Sequence, residues 1–297
     1  MGGFIHGIKT KELATSIKPS VQTGNLPVFV GIAPINLATS PKVNIPQILY
    51  SWAEAKEYFG YVDDIENYTL CEAFKVFFEL YGMAPIVAIN VLDPEVHKVT
   101  VSNKSLNIDK TNKNIVMELG VKKETLALKN GATPLTLNVD YTASFDSNGY
   151  LTINFVKGGA ILASDGTWNV DLITSNYEKI DPSLVDTDDI IGGYDSENNK
   201  YEGLELINQC YSVFRKVPTM LLAPKFGEDS AVAAVLETKA SKINTVFSAM
   251  AIVDIPESII KYSEVPNKKN LNNLVSENLI VCWPKVKLGD YVYRLST

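Results

Sequence analysis

The chain has 297 residues, 46% apolar and 21% charged, with a net charge of −7; this is the composition of a globular protein of about two domains and excludes a disordered one. No apolar run reaches the roughly 18 residues of a membrane helix, and the first 20 residues lack a basic start, apolar middle and small-residue cleavage site, so the expectation is a chain made and kept in cytosol. Lys supplies 25 of the 27 basic residues and Arg only two, Arg215 and Arg294; with so few forked donors and no basic stripe, nucleic acid is not an expected partner, and neither is a membrane.

In chain order, the first apolar run, Val28-Phe29-Val30-Gly31-Ile32-Ala33-Pro34, is short and closed by proline, which predicts a buried strand. Ser51-Trp52-Ala53-Glu54 has the spacing of a capping box, so a short helix should start there and stop at Gly60. Thr69-Leu70-Cys71-Glu72 has the same spacing. Behind it Leu70, Phe74, Phe77, Phe78 and Tyr81 share one helical face, and Gly82 supplies a left-handed stop. A strand follows over Pro85–Leu92.

After Asp93-Pro94 the period falls from about 3.6 to 2. Val99 alternates with Val101, Leu126 with Leu128 before Asn130-Gly131, and Leu151, Ile153 and Phe155 alternate after Asn148-Gly149. Asn-Gly between alternating strands is a hairpin signal, because both residues tolerate positive φ. Residues 96–183 therefore read as a small antiparallel β domain.

The helical period returns at Leu204, Ile207, Tyr211 and Phe214, before a strand Thr219–Ala223. Asp229 can cap a helix with the apolar face Val232, Val235, Leu236, Ala240 and Ile243, closed by Lys239 and Lys242 in keeping with the helix dipole. A strand Phe247–Val253, a short helix opened by Pro256 and a last buried strand Leu279–Trp283 complete the pattern. Strands separated by helices predict a mostly parallel sheet covered on both faces, an α/β fold with the β domain inserted into it.

Little in the sequence carries catalysis. The two histidines, His6 and His97, belong to no zinc motif, and there is no G-x-S-x-G, phosphate-binding loop or dinucleotide fingerprint. Cys71, Cys210 and Cys282 each sit in an apolar pattern, as reduced core thiols do. Gly158-Gly159 and Gly192-Gly193 lack the strand-before, helix-after setting of a phosphate cradle and read as tight turns or close approaches. Asp181, Asp186, Asp188 and Asp189 could converge on a cation, but without a glycine-turned ligand loop they read as a solvated loop. Asp254 ends a strand where α/β enzymes place functional groups, yet without a neighbouring histidine it reads as a cap or ion-pair partner. No metal and no cofactor is expected, and the residues by themselves name no function.

Three groups of segments together resemble the sheath protein of contractile phage tails and of the related phage-tail-like bacteriocins. The first is Phe4-Ile5-His6-Gly7-Ile8-Lys9 with Pro27–Pro34, similar to the family's opening arm and first strand. The second runs from Ile190-Ile191-Gly192-Gly193 through Gly203–Ile207 to Val217–Phe226, and the third joins Lys239–Asn244 to Ala251–Pro256. Their order and spacing span nearly the whole chain. The resemblance implies a subtilisin-like α/β core over residues 21–95 and 184–297, an inserted β domain over 96–183 and an N-terminal arm over 1–20. It implies no enzymatic activity: Ser248-Ala249-Met250-Ala251 resembles a subtilisin nucleophile segment but lacks the preceding Gly-Thr, and His6 lies ahead of every core strand.

What the resemblance implies is mechanical. Sheath subunits stack around a tail tube, attached to a baseplate, and contract to drive the tube through a cell envelope. They would assemble in the bacterial cytoplasm and end in a virion tail or a released phage-tail-like particle. Phe4, Ile5, His6, Gly7 and Ile8 would donate a strand to a neighbouring subunit. Family members usually continue past the equivalent of Tyr291-Val292-Tyr293-Arg294, so this chain is expected to be a monomer or weak oligomer in solution. The competing expectation is an α/β hydrolase or ligand-binding enzyme with an unrecognised site, to be sought around Asp254 or Ser248.

Overall fold

The structure, a computed structural model, describes residues 25–256 and 258–297. The expected arm, with Phe4, Ile5, His6, Gly7 and Ile8, lies outside the described residues. In chain order the first elements are β1 (Pro27–Gly31), β2 (Gln47–Leu49), α1 (Trp52–Phe59), α2 (Thr69–Phe74) and β3 (Ile86–Asn90). The long strand β4 (Lys98–Asn107) opens an antiparallel region with β5 (Asn114–Val116), β6 (Ala127–Asn130), β7 (Thr133–Pro134), β8 (Tyr141–Phe145), β9 (Leu151–Phe155) and β10 (Leu172–Ile180). Then come α3 (Thr187–Ile191), the hairpin β11 (Gly193–Asp195) and β12 (Lys200–Glu202), α4 (Cys210–Phe214), β13 (Met220–Leu222), α5 (Ser230–Ser241) and β14 (Met250–Asp254). The chain closes with α6 (Val265–Leu271), β15 (Leu279–Cys282), β16 (Val286–Leu288) and β17 (Tyr291–Tyr293).

The fold is mixed α/β. Six strands form one sheet in the order β15-β14-β13-β1-β3-β2, parallel throughout except where β2 runs against β3. All five residues of β1 and of β3 are buried. Since successive side chains point to opposite faces, both faces of the sheet centre are covered, which accounts for the unbroken apolar runs. The antiparallel strands form two further sheets, β4-β10-β6-β7 and β5-β9-β8. They enclose their own apolar cluster around Leu128, Leu151, Ile153 and Tyr177, while a larger cluster surrounds the parallel sheet.

Local chemistry explains most boundaries. Ser51 caps α1 by accepting from the Glu54 N–H at 3.3 Å, and the Glu54 carboxylate reaches back to the Tyr50 N–H at 2.7 Å, one residue short of the reciprocal bond expected. Asp229 caps α5 through the N–H groups of Ala231 and Val232. The second capping box does not form. Thr69 lies inside the first turn of α2, buried, and its hydroxyl accepts from the Ile32 N–H at 3.1 Å, tying the helix to the end of β1. Gly31 permits that approach, since a Cβ there would stand 2.4 Å from the Thr69 hydroxyl. After Phe74 the helix widens into a π-helical turn over Lys75–Leu80, which leaves Tyr81 at the surface instead of on the shared apolar face.

Both Asn-Gly hairpins form, but through glycine alone. Asn130 pairs with Thr133, so Gly131-Ala132 makes the two-residue turn. Between β8 and β9 the turn runs from Asp146 to Tyr150, and the Asp146 carboxylate accepts from the N–H groups of Asn148 and Tyr150. Two expectations for the last quarter differ from the structure. The short helix starts at Val265 with Pro266 in its first turn rather than at Pro256, and β15 is a half-exposed sheet edge rather than a buried strand, because β14 is its only neighbour in the sheet among the described residues.

Candidate functional site

The residues that could carry chemistry have structural partners. The His97 ring Nδ1 accepts from the Asp93 N–H at 2.9 Å, so the proton of the neutral ring sits on Nε2, 3.2 Å from an Asp189 carboxylate oxygen. That same oxygen accepts from the Asp186 N–H and closes a capping box with Asp186 at the start of α3. Asp181 caps its own short turn through Ser183. Three of the four aspartates considered for a cation are thus engaged by backbone donors, and among the described residues no group of three or more His, Cys, Asp or Glu could hold a metal ion.

Burial pushes the Cys71 and Cys210 thiols up to about 12 and the Cys282 thiol up to about 11. At neutral pH they are protonated and poorly nucleophilic. Gly192 is the close approach anticipated for its Gly-Gly pair: at φ +64°, a Cβ would stand 2.0 Å from the Glu202 carbonyl oxygen. Ser248 is exposed just ahead of β14, whereas Asp254 is buried at its carboxyl end. The Asp254 carboxylate accepts from the Ser296 N–H at 3.2 Å and from the Ser296 hydroxyl. Burial raises its pKa, with those bonds acting the other way. The carboxyl ends of the parallel strands, where many α/β proteins hold ligands, are here tied together by side chains. Buried Asn90 adds to this by accepting from the Ala33 and Leu92 N–H groups at 2.9 and 3.2 Å.

The strongest polar cluster was missed from sequence. It anchors the β16–β17 hairpin and the residues after it. Arg294, with its side chain 2% exposed, bonds Glu72, whose side chain is 0% exposed. The Arg294 N–H donates to one Glu72 carboxylate oxygen at 2.6 Å and its guanidinium to the other. The guanidinium also meets Glu66 at 2.8 Å and stands 3.7 Å from Glu228. Burial raises the Glu72 carboxyl, outweighing the guanidinium beside it; for half-exposed Glu66, Arg294 and Lys285 outweigh burial and lower it. Lys75 joins the same end of the hairpin, 3.7 Å from the Tyr291 ring centroid and 2.7 Å from Asp63. Two sequence signals pointed here: an arginine in a chain with only two, and an acid, Glu72, inside an otherwise apolar helix.

The molecule therefore defines a class: a mixed α/β protein whose buried charges and caps hold its own strands together. No family model matches the chain. It is 26% identical over 294 residues to a tail sheath protein of Burkholderia phage BcepMu, a match that covers 97% of this chain and 57% of that protein. The likeness to tail sheath proteins read from the segments is thus shown over almost the full sequence, and the chain spans little more than half the length of the curated relative it matches.

Proposed function

We propose that the chain is a structural, non-enzymatic subunit of a phage tail sheath and part of a virion tail, assembled with other sheath subunits around a tail tube. The observation that carries this reading is the similarity to a tail sheath protein along 97% of the chain. The occupied state of Asp254, His97 and the buried thiols supports it, because each is engaged in holding the fold. The hydrolase alternative gains no support: Asp254 bonds Ser296, His97 bonds Asp189, and Ser248 stands exposed ahead of its strand.

The finer parts belong to the same proposal. The sheath contracts from an extended to a shortened helix, held at a baseplate. Residues 21–95 and 184–297 form a subtilisin-like core, and residues 96–183 are an insertion, a division supported by the separate apolar clusters of the parallel and antiparallel sheets. Residues 1–20 form an arm in which Phe4, Ile5, His6, Gly7 and Ile8 pair with a neighbour's strand, so that subunits stay linked while their bodies rotate. Assembly takes place in the bacterial cytoplasm, and the product is a virion tail or a phage-tail-like particle such as a bacteriocin.

Immunogold electron microscopy of tail particles from producing cells tests the reading. The expected result is label along helical tubes that occur in a long, narrow form and a short, wide form. Label confined to soluble protein, or turnover of a small substrate abolished by Asp254→Asn, would overturn it.

A further inference from the structure

Residues 284–297 are fastened to the molecule by side chains. β16 and β17 pair only with each other, and among the described residues no backbone-to-backbone hydrogen bond joins this segment to any other part of the chain. The segment starts from a fixed point: the Trp283 indole N–H donates to the Ile259 carbonyl at 3.0 Å, and the Ile255 N–H donates to the Cys282 carbonyl at 2.9 Å. Beyond Pro284 the chain leaves the sheet, turns at Gly289-Asp290 and returns to Glu72 in α2 and to Asp254 at the end of β14.

Little apolar surface holds the segment down. Tyr293, Arg294 and Ser296 are its buried residues, whereas all of β16 is exposed and Leu288, Val292 and Leu295 are each at least 40% exposed. The sheet beneath differs: Val28, Phe29, Val30, Ile86 and Ile89 are completely buried, and burial of apolar surface is the dominant favourable contribution to folding. Attachment of the segment rests instead on two residues, each of which places a backbone and a side-chain donor on one carboxylate. Arg294 bonds Glu72 through its N–H and guanidinium, and Ser296 bonds Asp254 through its N–H and hydroxyl. Desolvation offsets much of what a buried ion pair contributes. A polar attachment with few buried apolar contacts puts a segment at the low-stability end of a fold.

We infer that residues 284–297 form a strap that lifts from the body and returns as one unit, pivoting at Trp283-Pro284, while the six-stranded sheet stays folded. The β16–β17 ladder is internal to the strap and survives lifting. Arg294 and Ser296 are two positions apart on it, so release of one draws the other away. Closed, the strap ties α2 to the end of β14 and seals the carboxyl ends of the parallel strands, where many α/β proteins hold ligands. Lifted, it bares the buried carboxylates of Glu72 and Asp254, with half-exposed Glu66 beside them. The strap thus converts one end of the molecule from a sealed surface to an open, acidic one. The inference stands independently of the sheath reading.

Native-state hydrogen exchange of the full chain, resolved by residue, tests the strap. The Arg294 and Ser296 N–H groups report it directly, because their acceptors are side chains of the body; the N–H groups of β1 and β3 report the sheet. In the wild type the two strap amides should share one opening constant, larger than that of the strands by about tenfold or more. Ile89→Val, which removes a buried methyl group, should speed exchange in the strands about fivefold and leave the strap amides unchanged, since it destabilises the closed and lifted forms equally. Ser296→Ala should raise the opening of both strap amides by about tenfold, the usual worth of one bond to a charged acceptor, and Arg294→Met should raise it by more. Strap amides as slow as the strands, or accelerated together with them by Ile89→Val, would show that the segment leaves only when the whole chain unfolds and would overturn the inference. Acceleration of the Ser296 amide alone in Ser296→Ala would overturn it too, because that is fraying and not the movement of a unit.

Discussion

Arg294→Met is the most informative single change, because the guanidinium neutralises a carboxylate that has no access to water. Glu72 has a 0% exposed side chain, and both of its oxygens are bonded by Arg294, one through the backbone N–H and one through the guanidinium. Methionine keeps most of the volume and the backbone bond but leaves Glu72 as a buried, uncompensated charge close to Glu66. Breaking a buried pair in this way costs about 3–5 kcal/mol. Removing both charges with Glu72→Gln and Arg294→Met should regain about 2 kcal/mol or more of that loss, since a neutral amide has no ionic desolvation cost to offset. The deficit of the single variant also carries a pH signature. Burial already raises the Glu72 carboxyl, and loss of the guanidinium raises it further. A carboxyl whose folded pKa lies above its unfolded value favours the folded state below the unfolded pKa and disfavours it as pH rises through the folded one, so the variant should lose stability between pH 5 and pH 8. Urea unfolding followed by near-UV circular dichroism at both pH values measures each quantity. A cost below about 1 kcal/mol for Arg294→Met, or a double variant no more stable than the single one, would show that the pair does not anchor the hairpin.

Three further outcomes follow from the geometry. Glu118 is held down to about 2: burial opposes this, but bonds from Lys104, Lys179 and Tyr177 prevail. Its contribution is present above the ordinary carboxyl range and lost as pH falls from about 4.5 towards 2, about 1 kcal/mol after solvent screening; Glu118→Gln should flatten the acid limb of the unfolding profile, and an unchanged limb would contradict the assignment. Gly192→Ala should destabilise the chain by at least about 2 kcal/mol, because a Cβ would collide with the Glu202 carbonyl at a positive φ, whereas Gly131→Ala, where nothing stands within 4 Å, should cost about 1 kcal/mol from φ alone; equal melting temperatures for the two variants would refute the steric argument. Thiol alkylation at pH 7.5 should modify half-exposed Cys282 first and reach Cys71 and Cys210 only on unfolding; prompt modification of Cys71 in the folded chain would contradict its burial.

Local chemistry made much of the architecture legible before any coordinates. An apolar run closed by proline marked β1 and a short apolar run over Thr219–Ala223 marked β13, because a strand buried on both faces needs no alternation. The switch to a period of 2 after Asp93 marked the antiparallel strands, and Ser51 and Asp229 marked the starts of α1 and α5, since a hydroxyl or carboxylate at that position satisfies a free N–H whatever surrounds it. The same rule failed at Thr69, where the capping pattern is present but the hydroxyl serves the end of β1 instead. A helix packed against a strand offers competing backbone donors, and spacing along one helix carries no information about which donor is nearest.

Residue order by itself therefore determined the main strands and helices of the parallel sheet and the antiparallel character of the middle, the scarcity of catalytic groups and the likeness to tail sheath proteins, all of which depend on neighbours within a few turns or on the order of segments. Tertiary structure alone decided that Glu72 meets Arg294, 222 positions away, that Asp254 is taken up by Ser296, and that β15 is a half-exposed edge. An apolar run reads the same at the centre of a sheet and at its rim, because the number of flanking strands is set by how distant segments pack. A long-range ion pair is equally silent in sequence, since it is the burial of both partners, a property of the whole fold, that makes it matter.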